Sequence, residues 1–364
     1  MKSLGVIAII LVLLLSSCTN SEEVDKLSLI SAVGLEKIAD NEYKIIIQYL
    51  MPKKDQEPFP ITKEVDGLTI YEANNNLNEF LPRKPYWSHN FIILLSEELA
   101  KEGIRRQLDF FRRNPEMRQD MLVAITESPR KILYNLQEQQ LSGETLKLIA
   151  GQASERNGLG EVSTLHKVYQ NLFFKKPFLT ITHIFLDGEN PRIDGVSIFD
   201  KDKYITTIKG DEARGLGLIN LKNKYSSVTV NCLDNENRQI TFNLTNTHKK
   251  KNAYVNDLGI FKIHLTLEFE ASLTESHCMR NLSNTDTIKK LEKSLNKKIK
   301  ELAKKTIEHS QQNVEIDYFG FGNLLYLNHP KKWKEIEGEY KTVYKNANIQ
   351  LKIKTRIVQT GAVN

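Results

Sequence analysis

Residues 91–104 read FIILLSEELAKEGI, which places a short apolar segment directly before the start of a helix. The five apolar residues 91–95 have the length of a buried strand. Ser96 can cap the helix that follows, and Glu97 and Glu98 lie in its first turn, where the positive end of the helix dipole favours acidic side chains. The stretch therefore predicts a strand that is followed at once by a helix.

Towards the N-terminus, the sequence predicts a hairpin, a loop and another helix. The hairpin covers residues 27–50, and residues 52–60, which contain three prolines, predict a loop. Thr69 and Glu72 have the spacing of a capping box, in which each side chain bonds the backbone N–H of the other residue. A helix is therefore predicted from Thr69 until Pro82 ends it.

Towards the C-terminus, the alternation continues. Residues 121–126 predict a strand, and Ser128 with Pro129 begins a third helix, because proline is tolerated in the first helical turn. Residues 43–140 thus alternate strand and helix, an order that favours a sheet covered by helices. The leading hairpin makes a mixed sheet more consistent with the sequence than an all-parallel one.

The segment that follows changes character. Residues 143–160 are rich in glycine and polar residues and predict a surface loop or a mobile flap, whereas residues 161–174 predict a helix. We expect a domain boundary near Pro191. Three strands are predicted around it, at residues 178–186, 195–199 and 204–208.

The C-terminal half groups its strands and helices in blocks. Residues 259–270 alternate apolar and mostly polar residues, which predicts a strand with one buried face. Asp286 is expected to cap the longest helix, which extends to residue 312. The other predicted elements are strands at residues 225–231, 239–244 and 349–358 and a weaker helix at residues 335–344. The predicted fold is therefore α+β and multi-domain, with mixed sheets and packed helices.

An unbroken apolar run, residues 4–15, lies at the N-terminus. It is too short to cross a bilayer as a helix, which needs about 20 residues. The two serines before Cys18 complete the pattern that a lipoprotein signal peptidase reads. We therefore expect residues 1–17 to be a lipoprotein signal peptide, and Cys18 to be the lipidated first residue of the mature chain. An ordinary buried cysteine after a conventional signal peptide, and a core helix, are the alternatives.

The mature chain is too long for one hydrophobic core. The 364 residues leave about 350 after the signal peptide, which predicts two or three domains. We place them at residues 18–190 and 191–364, and leave open a further division near residue 223. The formal charge of +6 is mild. It is compatible with an anionic lipid surface, with an acidic partner, and equally with no charged partner at all.

The residues that could carry chemistry are scattered. None of the eight histidines has the spacing of a zinc site, and adjacent side chains such as His277 and Cys278 usually point apart. No complete nucleotide-binding loop and no G-x-S-x-G motif is present in the sequence. We predict no catalytic, cofactor or metal site, and no nucleic-acid partner. Cys232 and Cys278 could pair in an oxidising compartment, but we favour unpaired structural thiols because one pair makes no disulfide framework.

Eight lysines cover the polar side of the predicted helix at residues 286–312. One interpretation is a solvated face, balanced in part by glutamates three or four residues away. The other is contact with anionic lipid or an acidic partner subunit, in which each lysine near a membrane contributes on the order of 1 kcal/mol. The sequence favours the solvated face.

Five segments carry a family resemblance. Residues 25–37 read DKLSLISAVGLEK, residues 66–73 read DGLTIYEA, residues 88–104 read SHNFIILLSEELAKEGI, residues 314–322 read VEIDYFGFG and residues 330–333 read PKKW. In order and spacing they resemble the Ger(x)C family, the lipoprotein C subunits of spore germinant receptors, over nearly the whole chain. The chain departs from the family pattern at Thr19 and Asn20, where many members have Trp-Asp.

The resemblance implies a receptor in the inner membrane of a dormant spore, formed with a polytopic A subunit and a transporter-like B subunit, that responds to small nutrients. The chain would be the peripheral C subunit, held on the outer face of that membrane through lipid on Cys18 and not itself an enzyme. His89 stands among aromatic residues, which favours a packed structural role. The alternative functions are an extracytoplasmic solute-binding lipoprotein of a transporter and an anchored hydrolase of the cell wall.

Overall fold

The computed structural model describes residues 23–40, 42–51, 58–158, 162–173, 178–220, 226–278 and 284–359. Within these ranges the chain forms two sheets with helices packed on them. This is the α+β fold with mixed sheets that the sequence predicts. Cys18 and residues 1–17 lie outside the described residues.

The bounds of the elements are as follows. The strands are β1 (Leu27–Ala39), β2 (Glu42–Leu50), β3 (Pro60–Gly67), β4 (Lys84–Tyr86), β5 (Ile92–Ser96), β6 (Leu122–Thr126), β7 (Leu179–Asp187), β8 (Asn190–Asp200), β9 (Lys203–Lys209), β10 (Ser226–Asn231), β11 (Gln239–Val255), β12 (Phe261–Ser276) and β13 (Asn348–Gln359). The helices are α1 (Ile70–Asn76), α2 (Glu97–Glu102), α3 (Arg105–Arg113), α4 (Pro129–Glu138), α5 (Gly143–Asn157), α6 (Leu165–Phe173), α7 (Gly210–Asn220), α8 (Thr285–Glu308), α9 (Phe321–Asn328), α10 (Pro330–Ile336) and α11 (Tyr340–Lys345).

The first sheet has a parallel centre and antiparallel ends. Its strand order is β3-β2-β1-β5-β6-β7-β8-β9, and the short β4 also pairs with β1. The pairs β1–β5, β5–β6 and β6–β7 are parallel, whereas the pairs on either side of them are antiparallel. The mixed sheet expected from the leading hairpin is therefore confirmed.

Helices cover both faces of this sheet. In β5, Ile93 and Leu95 pack in the core formed with α1, α2, α3 and α6, whereas Ile92 and Leu94 pack in the core formed with α4 and α5. Successive side chains of a strand point to opposite faces, so a strand that is buried on both faces reads as a continuous apolar run. This is why the apolar residues 91–95 predict their strand correctly.

The second sheet has the order β10-β11-β12-β13, with β12 and β13 parallel. The inward face of β12 packs against the apolar stripe of α8. That stripe consists of Leu291, Leu295, Ile299, Leu302 and Ile307. The longest predicted helix is thus present, although its N-cap is Asn284, whose side chain accepts a hydrogen bond from the N–H of Asp286. The prediction that Asp286 is the cap is wrong.

The two sheets share one of the hydrophobic cores. Val196 and Ile198 of β8 and Ile208 of β9 belong to the first sheet, yet their side chains lie in the same core as α8 and the second sheet. Pro191 lies within β8. The division into residues 18–190 and 191–364, and the further division near residue 223, stay predictions.

The predicted caps of three helices are present. Thr69 accepts a hydrogen bond from the N–H of Glu72 at 3.0 Å, and Ser96 and Ser128 cap α2 and α4 in the same way. The Glu72 carboxylate accepts from the N–H of Leu68 and not from that of Thr69, so the reciprocal half of the predicted capping box is displaced by one residue.

One segment predicted as a loop contains a helix, and a strand begins at the last residue of another, whose residues 52–57 lie outside the described residues. The predicted loop or flap at residues 143–160 contains α5, because Leu146, Ala150 and Ala153 recur at helical spacing and pack against the first sheet. The prolines of the loop predicted at residues 52–60 do not prevent β3 from beginning at Pro60, since proline is tolerated at the first residue of an edge strand.

The expectation of unpaired thiols at Cys232 and Cys278 is wrong, because a disulfide joins them. Cys232 follows β10 and Cys278 follows β12, and their Cα atoms are 5.5 Å apart. The two residues are separated by 46 positions, so only the pairing of the strands in the second sheet brings them together.

Candidate functional site

A cavity of about 820 Å³ opens between α1 and α3, in the first half of the chain. The position of α3 is set by a break in the chain between α2 and α3. Gly103 adopts a φ of +124°, which favours glycine, and the N–H of Ile104 donates to the carbonyl of Asp202 at 2.9 Å. The chain therefore turns between α2 and α3, and α3 lies beside α1.

The wall of this α1–α3 cavity is mainly apolar. The rings of Tyr71 and Phe110 meet edge to face, with their centroids 6.4 Å apart. Leu68 and Tyr71 at its rim are 63% and 64% exposed, high values for large apolar side chains. Contiguous exposed apolar surface around a concave region is typical of a binding site.

Two amide side chains line the same cavity, and the oxygen of each has no hydrogen-bond donor within the described ranges. Gln107 is 5% exposed, and its Oε1 is shielded from solvent and accepts no hydrogen bond there. Oδ1 of Asn74 is likewise shielded from solvent and accepts no hydrogen bond from the described residues. Leaving a buried acceptor unsatisfied costs about 1–3 kcal/mol. A ligand that donates hydrogen bonds would remove this cost once the amide turns its oxygen towards the cavity.

The charged groups of the α1–α3 cavity are two arginines and one aspartate. Nε of Arg113 donates to Oδ2 of Asp109 at 2.5 Å, and this hydrogen bond raises the pKa of the Arg113 guanidinium. Arg106 is exposed, and it forms no ion pair within the part of the chain that the structure describes. The cavity therefore presents a free guanidinium, a group that binds carboxylates.

A second polar cluster, around Asp317, is fully buried and holds the C-terminal core together. The Asp317 carboxylate accepts from the N–H groups of Phe319, Gly320 and Gly322 at 3.2, 3.0 and 2.8 Å. Burial raises the pKa of this carboxyl, although the hydrogen bonds act in the opposite direction. Gly320, at a φ of +79°, supplies the left-handed residue of the turn.

Two lysines of β11, Lys249 and Lys251, face the interior, and Lys251 lies near this Asp317 cluster. Nζ of Lys251 donates to Oδ1 of Asn220 at 2.6 Å and lies 5.8 Å from the ring centre of Phe321. Burial lowers the pKa of Lys251 to about 8, and burial together with the charge of Lys251 lowers the pKa of Lys249 to about 7. The sequence alone did not predict that these lysines are buried.

The other residues singled out in the sequence lie apart from the α1–α3 cavity. The His89 ring packs against Phe91 with 4.9 Å between ring centres, as the neighbouring aromatics predict. Nε2 of His277 lies 2.9 Å from Oε1 of Glu275. Asp234 stands near Cys232 and Cys278, but the disulfide removes the thiolates that would bind a metal there.

The lysine-rich side of α8 is largely exposed. Lys304 pairs with Glu308 and Lys305 with Glu212, each at 3.1 Å. Such exposed pairs contribute little to stability, at most about 1 kcal/mol each. Of the described residues, those in helices include no segment long and apolar enough to span a membrane.

Two family models match consecutive parts of the chain. The model described as "Spore germination protein N-terminal domain" matches residues 20–184, and the model described as "Spore germination B3/ GerAC like, C-terminal" matches residues 194–361. The chain belongs to the Ger(x)C family of spore germination proteins. The family resemblance stated from the sequence is confirmed.

Curated relatives of this Ger(x)C chain match along its whole length. It is 26% identical to spore germination protein A3 of Bacillus subtilis (strain 168), covering 96% of this chain and 95% of the relative. It is 23% identical to spore germination protein KC of the same organism, covering 99% and 96%. The solved GerBC protein has the same fold, with a TM-score of 0.62 at 16% identity over 90% of this chain and 96% of that one.

Proposed function

We propose that this Ger(x)C chain is the lipid-anchored C subunit of a nutrient germinant receptor, needed for spore germination in response to small nutrients. The observation that carries the proposal is the match of both family models, which together extend from residue 20 to residue 361. The relatives named as spore germination proteins support the same role.

The proposed partners are the A and B subunits of the receptor and the membrane. Lipid on Cys18 would hold the folded body on the outer face of the spore inner membrane, and the apolar run at residues 4–15 supports this as a lipoprotein signal. The exposed lysines of α8 are suited to an anionic lipid surface or an acidic partner. The subunit would perform no chemistry of its own.

Two alternative functions have less support. A solute-binding lipoprotein of a transporter is built from two similar lobes around a cleft, whereas the two sheets here differ in strand order and in the helices between their strands. The α1–α3 cavity lies beside one sheet and not between two lobes. A wall hydrolase would be supported by turnover of peptidoglycan fragments by the purified chain.

The test of the proposal is removal of the lipid site in the full-length chain. Cys18→Ala should abolish partitioning into the detergent phase and most of the nutrient response of spores, because the diacylglyceryl group is joined through the cysteine sulfur, which alanine lacks. Ser17→Ala is the matched control, since alanine keeps a small residue before the cysteine and should leave both properties intact. Full response from spores that carry only the Cys18→Ala form would contradict the need for an anchor.

A further inference from the structure

We propose that the α1–α3 cavity binds a small organic carboxylate that has an apolar body and at least one hydrogen-bond donor. This inference stands on the geometry of the cavity alone and does not depend on the proposed receptor role. The three parts of the ligand follow from three separate features of the wall.

The apolar body follows from the size and composition of the cavity. Its volume of about 820 Å³ lies within the range of small-molecule sites, about 300–1,000 Å³. The rings of Tyr71 and Phe110 offer an aromatic wall, and Leu68 at the rim would lose its exposure when a ligand is bound. A flat aromatic or branched aliphatic group fits these surfaces best.

The hydrogen-bond donor follows from Gln107. This residue lies on the buried face of α3 together with Leu108 and Phe111, about one turn after Ile104. A leucine at this position would pack without cost. Its Oε1 nevertheless has no partner within the described ranges, and the nearby Oδ1 of Asn74 has none either. Four described amide side chains have a buried atom without a partner, and two of them, Gln107 and Asn74, line this cavity. A turn of either amide towards the cavity would bring its oxygen to a ligand donor.

The carboxylate follows from the charge of the cavity. Asp109 is engaged by Arg113 at 2.5 Å and lies 3.7 Å from Arg112, so its charge is already compensated. Arg106 is then the guanidinium available to a ligand among the described residues that line the cavity. A guanidinium pairs with a carboxylate through two parallel hydrogen bonds, whereas an amine would be repelled.

Isothermal titration of the full-length protein in detergent, against matched micelle blanks, tests the three features with four probes. Indole-3-acetate supplies the aromatic body, the N–H donor and the carboxylate. 1-Naphthaleneacetate lacks the donor, 3-methylindole lacks the carboxylate, and tryptamine replaces it with an amine. We expect saturable one-to-one binding of indole-3-acetate and binding weaker by about tenfold or more for each of the other probes.

Variants place the binding in the cavity. Arg106→Gln should weaken the binding of indole-3-acetate by about tenfold and leave the binding of 3-methylindole unchanged. The matched control is Arg214→Gln, which replaces an exposed arginine on α7 and should change the affinity for neither probe. Gln107→Leu should reduce the preference for indole-3-acetate over 1-naphthaleneacetate. Because Arg106 is exposed, its variant folds even if Gln107→Leu does not. The proposal is overturned if no probe binds, if tryptamine binds as well as indole-3-acetate, or if Arg106→Gln and Arg214→Gln behave alike.

Discussion

The hydroxyl of Tyr340 donates a hydrogen bond of 2.7 Å to Oδ2 of Asp317. This contact joins α11 to the turn before α9, and so connects two helices of the C-terminal core through a single carboxylate. The same carboxylate already accepts three backbone N–H groups, which makes it the centre of the turn.

Asp317→Asn should lower the free energy of unfolding by about 2 kcal/mol, because the amide –NH₂ would face the Gly322 N–H that now donates to Oδ2. Tyr340→Phe, which removes one donor and leaves the carboxylate its other three, should cost about 1 kcal/mol. Urea unfolding followed by circular dichroism measures both values. Equal stability of Asp317→Asn and the parent protein would show that the carboxylate charge is not needed by the turn.

Gly322→Ala should destabilise the chain by about 1–3 kcal/mol, since a Cβ at this position would lie 2.6 Å from the Tyr340 hydroxyl and 2.5 Å from its ring. Gly151→Ala is the matched control within α5. No atom lies within 4 Å of a Cβ built there, so the control should stabilise the helix by about 0.5–1 kcal/mol. The two melting temperatures should therefore move in opposite directions, and a shared direction would refute the packing argument.

Replacing Cys232 and Cys278 together by alanine should lower stability by up to about 4 kcal/mol, because the disulfide closes a loop of 46 residues in the unfolded chain. The parent protein in reducing agent should unfold at the same urea concentration as the double variant. If reduction leaves the parent midpoint unchanged, the two sulfurs are not bonded in the folded protein.

Stability should rise with pH above neutrality. Burial holds the pKa of Lys249 at about 7 and of Lys251 at about 8, below the ordinary value of 10.5 in the unfolded chain. Between pH 7 and 10 the unfolded chain thus binds more protons than the folded one, so the free energy of unfolding increases with pH across this window.

Lys249→Met tests the origin of this pH dependence. The variant removes one buried titrating group, so it should be more stable than the parent at pH 6 and lose most of that advantage by about pH 10. Lys250→Met, at the exposed neighbouring position, should follow the parent curve. Urea midpoints measured at several pH values give the comparison. A constant difference between Lys249→Met and the parent at every pH would contradict the argument.

Local signals explain what the sequence predicted well. The helix caps are local, because each is a hydrogen bond to the N–H three residues further along the chain. The sequence spacing is therefore sufficient to predict the caps Thr69, Ser96 and Ser128. The continuous apolar runs of β5 and β6 likewise follow from burial on both faces.

The length of β11 could not be predicted because its pattern is interrupted. The sequence predicts a strand at residues 239–244, whereas β11 continues to Val255. The register of β11 against β12 shifts between Thr245 and His248, and Asn246, which lies within this shift, has a φ of 43°. The shift turns the side chain of Lys249 towards the interior. Three consecutive lysines do not indicate a strand, and only the pairing with β12 explains them.

The α1–α3 cavity was missed for a related reason. Its walls come from α1 and α3, whose contact depends on the break at Gly103 and on the hydrogen bond from Ile104 to Asp202, a residue far along the chain. One signal was present in the sequence. Gln107 interrupts the apolar stripe of α3, and a polar residue at such a position indicates either a buried partner or a binding surface.

Helix α5 contacts strands of both sheets, β1, β5 and β8 of the first and β10 of the second. Together with the side chains that β8 places in the shared core, it leaves little freedom for the two sheets to rotate against each other. Close-packed interiors of this kind have low compressibility and transmit strain. A force applied at one end of the folded body would thus be transmitted through the shared core and displace the other end as part of one rigid body.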